Sequence, residues 1–201
     1  MRLVVDGLTC IRGGRSLFRG LSFDLQEGGA LVVTGPNGVG KTSLLRLVAG
    51  LLTPVEGRIT AANSGQTVAE LCHFVGHFDA VKSALSVSEN LDFGRALLGS
   101  NGSEVVTALS RVGLGALGNI PARMLSMGQR RRLALARLLV ASRPIWLLDE
   151  PTASLDAEGK QTVIQLIEEH RKSGGMAIIV THVTLDMKNY GAIDLTGGGA
   201  A

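Results

Sequence analysis

Residues 30–43, ALVVTGPNGVGKTS, contain a strand, a loop and the start of a helix. The first residues form a short apolar run of the kind found in strands that are buried in a parallel sheet. Residues 35–42 fit the pattern G-x-x-x-x-G-K-[ST], in which successive backbone N–H groups wrap phosphate groups. From Lys41 onward the apolar residues have helical spacing, which ends before Pro54. The stretch therefore predicts a phosphate-binding loop on a parallel sheet.

This loop predicts a nucleotide site with defined roles for two residues. We expect Lys41 to reach the β- and γ-phosphates and the hydroxyl of Thr42 to coordinate Mg²⁺. An accidental glycine-rich turn is the alternative, and the flanking strand and helix argue against it. The residues predicted to bind nucleotide here are Gly35, Pro36, Asn37, Gly38, Val39, Gly40, Lys41, Thr42 and Ser43.

A second buried strand, residues 145–151 with the sequence IWLLDEP, ends in two carboxylates. Ligands bind at the carboxyl ends of strands in open parallel sheets. Asp149 suits the Mg²⁺ shell, and Glu150 suits a base that orients an attacking water. Taken alone, the pair could equally be a structural helix cap. Together with the phosphate loop, it favours catalysis.

The pattern changes to helices at about residues 80–130. Ser86 and Glu89 have the spacing of a capping box and predict a helix start. A second helix is predicted to be capped by Ser103 and to stop at Gly113. A third starts near Ser126 and ends before Pro144. The chain therefore reads as a parallel α/β core with an inserted helical subdomain.

Composition and charge exclude some classes of protein. Hydrophobic residues make up 45% and charged residues 18%, yet no run of about 18 uncharged apolar residues predicts a membrane span. The N-terminus lacks a signal-peptide pattern, so we expect the chain to stay in the cytosol. The net charge is +3. The three consecutive arginines at 130–132 would point in different directions on a helix, so they cannot form one basic stripe for nucleic acid. We interpret them as a solvated face or a salt-bridge set, and we expect no nucleic-acid partner.

The order of GPNGVGKTS, LSMGQ, IWLLDEP, TASLD and VTH, over essentially the whole chain, resembles the ABC-type ATPases. The resemblance implies an α/β fold of the P-loop NTPase (RecA-like) class. Its parallel sheet core would carry an antiparallel N-terminal β element and an inserted α-helical subdomain. It also implies one nucleotide-binding domain over residues 1–201, with ATP and Mg²⁺ as cofactors. A P-loop GTPase is disfavoured because no Asn-Lys-x-Asp motif is present.

The motif LSMGQ, residues 125–129, reads as a turn at a helix N-terminus, which is a second site for an anion. In the ABC family this signature turn closes over the γ-phosphate bound to a second subunit. The resemblance thus implies that two copies pair head to tail, with Ser126, Gly128 and Gln129 as ligands to the partner's nucleotide. Met127 stands where glycine is commoner, although its backbone can still donate.

Four further positions take roles from the resemblance. Asp156 lies in the loop that crosses the dimer seam, and His182 matches the switch histidine at the γ-phosphate. Arg12 stands where an aromatic residue usually stacks on adenine. His77 replaces a glutamine that touches the Mg²⁺ site, although a plain loop histidine is the alternative.

Within the family, the minimal length, the VGH of residues 75–77 and the stretch NIPARMLSMGQRRRLALARL resemble the haem-exporter ATPases of bacterial cytochrome c maturation. This resemblance implies ATP hydrolysis coupled to transport, integral membrane partners like CcmB and CcmC, and a position on the cytoplasmic face of the inner membrane. Haem would be handled by the partners, because the chain has no haem motif. The alternatives are an ABC ATPase for another transported substrate or a soluble, non-transport ABC ATPase.

Overall fold

The structure, a computed structural model, describes residues 1–197, which contain eight strands and six α-helices. The strands are β1 (Arg2–Arg12), β2 (Arg15–Gln26), β3 (Ala30–Thr34), β4 (Glu56–Ala62), β5 (Cys72–Val75), β6 (Ile145–Asp149), β7 (Met176–Val180) and β8 (Gly191–Asp194). The helices are α1 (Lys41–Val48), α2 (Val68–Leu71), α3 (Val87–Leu98), α4 (Val105–Arg111), α5 (Met127–Val140) and α6 (Ala157–Lys172).

The strands form two sheets. A five-stranded sheet has the order β5-β6-β7-β3-β8 with parallel pairing throughout, and a three-stranded antiparallel sheet has the order β2-β1-β4. Strands β6 and β7 are buried along their whole length, as expected for central strands of a parallel sheet. The predicted fold class is confirmed, while β4 and β8 had not been predicted.

The chain divides into two compact units. The first comprises, among the described residues, 1–76, 144–150 and 167–197, and it contains both sheets and α1. Its core is built from the apolar faces of β1, β3, β6 and β7 together with the leucines of α1. The second comprises residues 77–143 and 151–166, and it contains α3, α4 and α5. The single domain over residues 1–201, with a helical subdomain inserted at about 80–130, stays a prediction.

Of the three helix starts predicted in the helical segment, two are confirmed and one is wrong. A capping box begins α3 at Ser86, as its spacing with Glu89 predicts, and a second capping box begins α5 at Ser126, where only the helix start is predicted. Ser103 does not cap α4, because Glu104 holds the N-cap position without a side-chain bond. Instead, the backbone N–H of Ser103 donates to the carbonyl of Leu139 at 2.7 Å. That contact satisfies a carbonyl at the C-terminal end of α5, which has no partner within its own helix.

The arginines at 130–132 form a set of bonded side chains. Arg130 donates to the carbonyls of Leu125 and Arg123, and Arg132 pairs with Asp156. Arg131 is only 4% exposed. The interpretation as a salt-bridge set is therefore correct for Arg131 and Arg132, and the interpretation as a solvated face is wrong for Arg131.

In the described part of the chain, no helix combines the length and the hydrophobicity needed to span a bilayer.

The first unit contains a ring stack between the buried Trp146 of β6 and the partly buried His170 of α6. The two rings are parallel, with centroids 3.9 Å apart and 6° between their planes. Burial lowers the pKa of His170, because the charged imidazolium would lose its hydration there. Gly175 leaves room for the ring, since a Cβ at that position would overlap the imidazole.

We expect this stack to make unfolding depend on pH. The unfolded chain binds a proton on His170 near the ordinary pKa of about 6.5, whereas the folded chain binds it only at lower pH. The stability that the neutral ring contributes is therefore present above that pH and is lost as pH falls below it. Thermal unfolding, followed by fluorescence of Trp146, should show a smaller drop in Tm between pH 7.5 and pH 5.5 in His170→Gln than in the wild type. An equal drop in both proteins would contradict the assignment.

Candidate functional site

The phosphate-binding loop connects β3, which ends at Thr34, to α1, which begins at Lys41. Its glycines have positive φ angles of 133° at Gly35, 79° at Gly38 and 114° at Gly40, a region that other residues rarely adopt. A Cβ on Gly40 would lie 3.0 Å from Cβ of Leu17 in β2. The loop backbone is therefore held close to β2 and shaped by glycine, so that its N–H groups rather than side chains line the turn.

Lys41 lies inside this loop. Its Nζ donates to the carbonyl of Gly35 at 2.7 Å and to that of Pro36 at 3.0 Å. The side chain is buried, and the first turn of α1 presents backbone N–H groups that have no acceptor within the helix. An ammonium group and a helix N-terminus next to each other suit a polyphosphate.

The predicted metal ligands Thr42 and Asp149 are in contact. Thr42 Oγ1 donates to Asp149 Oδ2 at 2.7 Å, and Asp149 is 3% exposed at the end of β6. Both are hard oxygen donors, and Mg²⁺ in nucleotide sites takes one or two such ligands together with waters and phosphate oxygens. The two residues therefore fit a Mg²⁺ ion shared with a bound nucleotide.

Glu150 and His182 are brought together although they lie on different strand ends. The Glu150 Oε1 atom is 3.5 Å from Nε2 of His182. Glu150 adopts a left-handed backbone with φ of 50°, and its N–H donates to the carbonyl of Val180 at 2.9 Å. Such backbone strain in a non-glycine residue persists where the surrounding structure imposes it, and it clusters at functional sites. The arrangement brings a carboxylate and an imidazole together at the sheet end where β6 closes with Asp149.

Sequence reasoning missed a third carboxylate near the loop. A Cβ on Gly35 would lie 3.5 Å from Oδ1 of Asp194, the last residue of the short strand β8. Hydrogen bonds from the hydroxyl and the backbone N–H of Thr196 lower the pKa of Asp194. Nothing in the sequence marks Asp194, because β8 is short and mostly exposed.

The signature turn forms the N-terminus of α5 in the second unit. Ser126 Oγ accepts from the N–H of Gln129 at 3.2 Å, and the Gln129 side chain accepts from the N–H of Ser126 at 2.9 Å. The side chain of Gln129 thus takes part in its own capping box. A Cβ on Gly128 would lie 2.9 Å from the carbonyl oxygen of Ser154, so glycine is required there by packing within the chain.

Asp156 lies beside this turn. Its Oδ1 accepts from the N–H of Gly159 at 2.9 Å and from Arg132 Nη2 at 2.7 Å, and these bonds lower the pKa of Asp156. A polar cavity of about 320 Å³ is lined by the turn and by this pair. Ser126, Gly128, Gln129 and Asp156 are therefore gathered at one cavity with a guanidinium and a helix N-terminus, both suited to an anion.

Arg12 and His77 lie at exposed positions. Arg12 is at the tip of the β1–β2 hairpin, where it pairs with Arg15 across two glycines of positive φ. His77 belongs to the second unit, and its ring meets the edge of Phe78 with centroids 5.6 Å apart. The predicted stacking of Arg12 on a base and the predicted contact of His77 with Mg²⁺ both stay predictions.

Comparisons with known proteins point to one family. A family model described as ABC transporter matches residues 18–153. The chain is 49% identical over 191 residues to the cytochrome c biogenesis ATP-binding export protein CcmA of Mesorhizobium japonicum, covering 94% of this chain and 95% of the relative. It is also 49% identical over 203 residues to the protein of the same name from Rhodopseudomonas palustris strain BisB18, covering 100% of both.

Solved structures agree on the fold. A putative ABC transporter ATP-binding protein from Pyrococcus furiosus superposes with a TM-score of 0.86 at 25% identity and covers 100% of both chains. A bacterial Atm1-family ABC exporter with ATP bound gives a TM-score of 0.81 at 24% identity, covering 97% of this chain and 37% of the exporter. At that identity, the likeness to the exporter speaks for the fold alone.

Proposed function

This chain belongs to the ABC transporter family and is an ATPase, and we propose that it is the ATP-binding subunit of an exporter that serves cytochrome c biogenesis. The proposal is supported by relatives that carry this name and match the chain over its full length at 49% identity. In this proposal the energy of ATP hydrolysis drives export or release of haem, and the haem itself is handled by partner subunits.

The carboxyl end of the parallel sheet supports a direct role in hydrolysis. Backbone N–H groups of the loop and Lys41 hold the β- and γ-phosphates, and the oxygens of Thr42 and Asp149 hold Mg²⁺. Mg²⁺, when bound there, neutralises charge on the phosphates. The observation that carries this proposal is the contact of Glu150 with His182. Glu150 orients the attacking water and accepts its proton, and His182 donates to the γ-phosphate.

Two copies of the chain form the working enzyme in this proposal, paired head to tail. The cavity at the signature turn supports it, because Ser126, Gly128 and Gln129 surround a space suited to an anion. The γ-phosphate held by one copy enters this space on the other copy. Asp156 lies at the interface between the two copies, where its ion pair with Arg132 fixes the loop that carries Asp156.

The proposed partners are integral membrane subunits like CcmB and CcmC, with this chain bound at the cytoplasmic face of the bacterial inner membrane. His77 occupies the loop that senses the Mg²⁺ site and reports to the membrane partner, and Arg12 stacks on the base. Nucleic acid is not a partner in this proposal, because two of the three consecutive arginines are already bound to carboxylates.

A deletion strain tests the cellular role. We expect a host that lacks this gene to make no holo-cytochrome c while its b-type cytochromes stay normal, measured by haem staining and difference spectra. The wild-type gene should restore holo-cytochrome c, and Lys41→Ala should not, because the phosphate loop loses its ammonium group. Lys172→Ala, which removes an exposed lysine, is the matched control. Normal holo-cytochrome c in the deletion strain would leave only an ABC ATPase for another substrate.

A further inference from the structure

The loop that carries His77 joins β5 to α3 and is held at several points. Asn90 of α3 is buried, accepts from the N–H of Lys82 at 2.8 Å, and donates to the carbonyls of Lys82 and Ser86 at 3.1 Å and 2.8 Å. Ala80 has a left-handed backbone with φ of 50°. Strain of this kind in an alanine requires neighbours that impose it.

Arg131 of α5 is one of those neighbours. Its Nη1 lies 2.9 Å from Oδ1 of Asp79, and its Nε donates to the carbonyl of Pro151 at 3.4 Å. The guanidinium is 4% exposed, and the carboxylate is partly exposed. A planar guanidinium with donors in a fixed fork can hold two acceptors at a defined angle, which a lysine cannot. The Arg131 side chain thus contacts both the His77 loop and Pro151, the residue that follows Glu150.

Arg137, farther along the same helix, holds the backbone of that loop. It donates from Nη2 to the carbonyl of Asp79 at 2.6 Å and from Nη1 to the carbonyl of Ala80 at 2.9 Å. The two arginines therefore bind the side chain and the backbone of the same short segment. The loop cannot leave α5 without separating both contacts.

We propose that the Arg131–Asp79 ion pair is a positioning element for ATP hydrolysis. It makes the His77 loop, the helix behind the signature turn and the segment after Glu150 move as one body. Moving the His77 loop away from α5 would leave the buried guanidinium of Arg131 without the carboxylate of Asp79, a state that is strongly disfavoured. A shift of the His77 loop is therefore passed along α5 to Ser126 and to Pro151. This inference rests on the proposed role of the signature turn in hydrolysis.

Asp79→Asn tests the pair, because it removes the charge and keeps the size. We expect kcat to fall on the order of tenfold, since a small misplacement of reacting groups has that effect. The KM for ATP should change by less than about twofold, because the nucleotide loop is untouched. The rate is counted per nucleotide site titrated with a fluorescent ATP analogue, so unfolded protein does not enter it.

The double variant Asp79→Asn/Arg131→Met separates positioning from folding. Removing the buried guanidinium together with its partly exposed carboxylate should raise Tm above that of Asp79→Asn, while the rate per site should stay low. Glu104→Gln is the matched control, because it removes the carboxylate of the Arg95–Glu104 pair in the same unit. We expect its rate per site to equal that of the wild type. A wild-type rate per site in either Asp79 variant would overturn the proposal.

The same assay includes Ser126→Asp, so that the two levels of the proposal can fail separately. If Ser126→Asp hydrolyses ATP at the wild-type rate, the signature turn has no role in hydrolysis and the proposed function fails at that point. If Ser126→Asp is slow and Asp79→Asn is not, only the positioning role of the ion pair is overturned.

Discussion

Glu150→Gln should bind ATP normally and hydrolyse it at least about a hundredfold more slowly than the wild type. The amide has the shape of the carboxylate but cannot accept the proton of the attacking water. The strained backbone at Glu150 and its contact with the carbonyl of Val180 do not depend on that charge, so the fold is retained. Phosphate release under single-turnover conditions measures the rate, and a fluorescent ATP analogue measures binding.

The same variant should accumulate as a dimer in ATP, because the closed pair is not released by hydrolysis. Light scattering after size exclusion, with and without ATP, measures this. Glu104→Gln, which removes the carboxylate that pairs with Arg95 in the second unit, should hydrolyse ATP normally and form no trapped dimer. Wild-type turnover in Glu150→Gln would remove Glu150 from the reaction.

Ser126→Asp should lower ATP hydrolysis on the order of a hundredfold or more without destabilising the chain. Aspartate is as good an N-cap as serine and can accept from the N–H of Gln129, so α5 keeps its start. Its negative charge also favours the helix N-terminus. In the proposed dimer, however, the carboxylate faces the γ-phosphate of the second copy, and the like charges repel. Ser126→Asn, a neutral cap, should lose far less activity.

Ser126 is a better probe than Gly128, because a side chain on Gly128 would press on the carbonyl of Ser154 within the same chain. Mixing Ser126→Asp with Lys41→Ala subunits tests whether the turn acts across the dimer. A mixed pair contains one site with an intact phosphate loop and an intact signature turn, so activity should exceed that of either variant alone. Loss of nucleotide binding by the isolated Ser126→Asp chain would show that the turn serves its own nucleotide.

Several features of this protein could be predicted because the residues that decide them are close in sequence. The phosphate loop follows from a strand, glycines and a helix start within residues 30–43. The capping boxes at Ser86 and Ser126 each close over three residues. The central strands of the parallel sheet are continuous apolar runs, whereas β4 and β8 were missed because their residues are mostly exposed.

The tertiary structure decided the contacts between residues that are distant in sequence. Periodicity could not place the Glu150 carboxylate beside His182, because that contact depends on which strands are neighbours in the sheet. Periodicity could not predict that Arg131 is buried either, because its partner Asp79 lies 52 residues away in the sequence. It also misassigned Ser103, which binds the end of α5 rather than capping α4. Local hydrogen bonds and strand burial are fixed by neighbouring residues, but the partner of a charged side chain is chosen by how the elements pack.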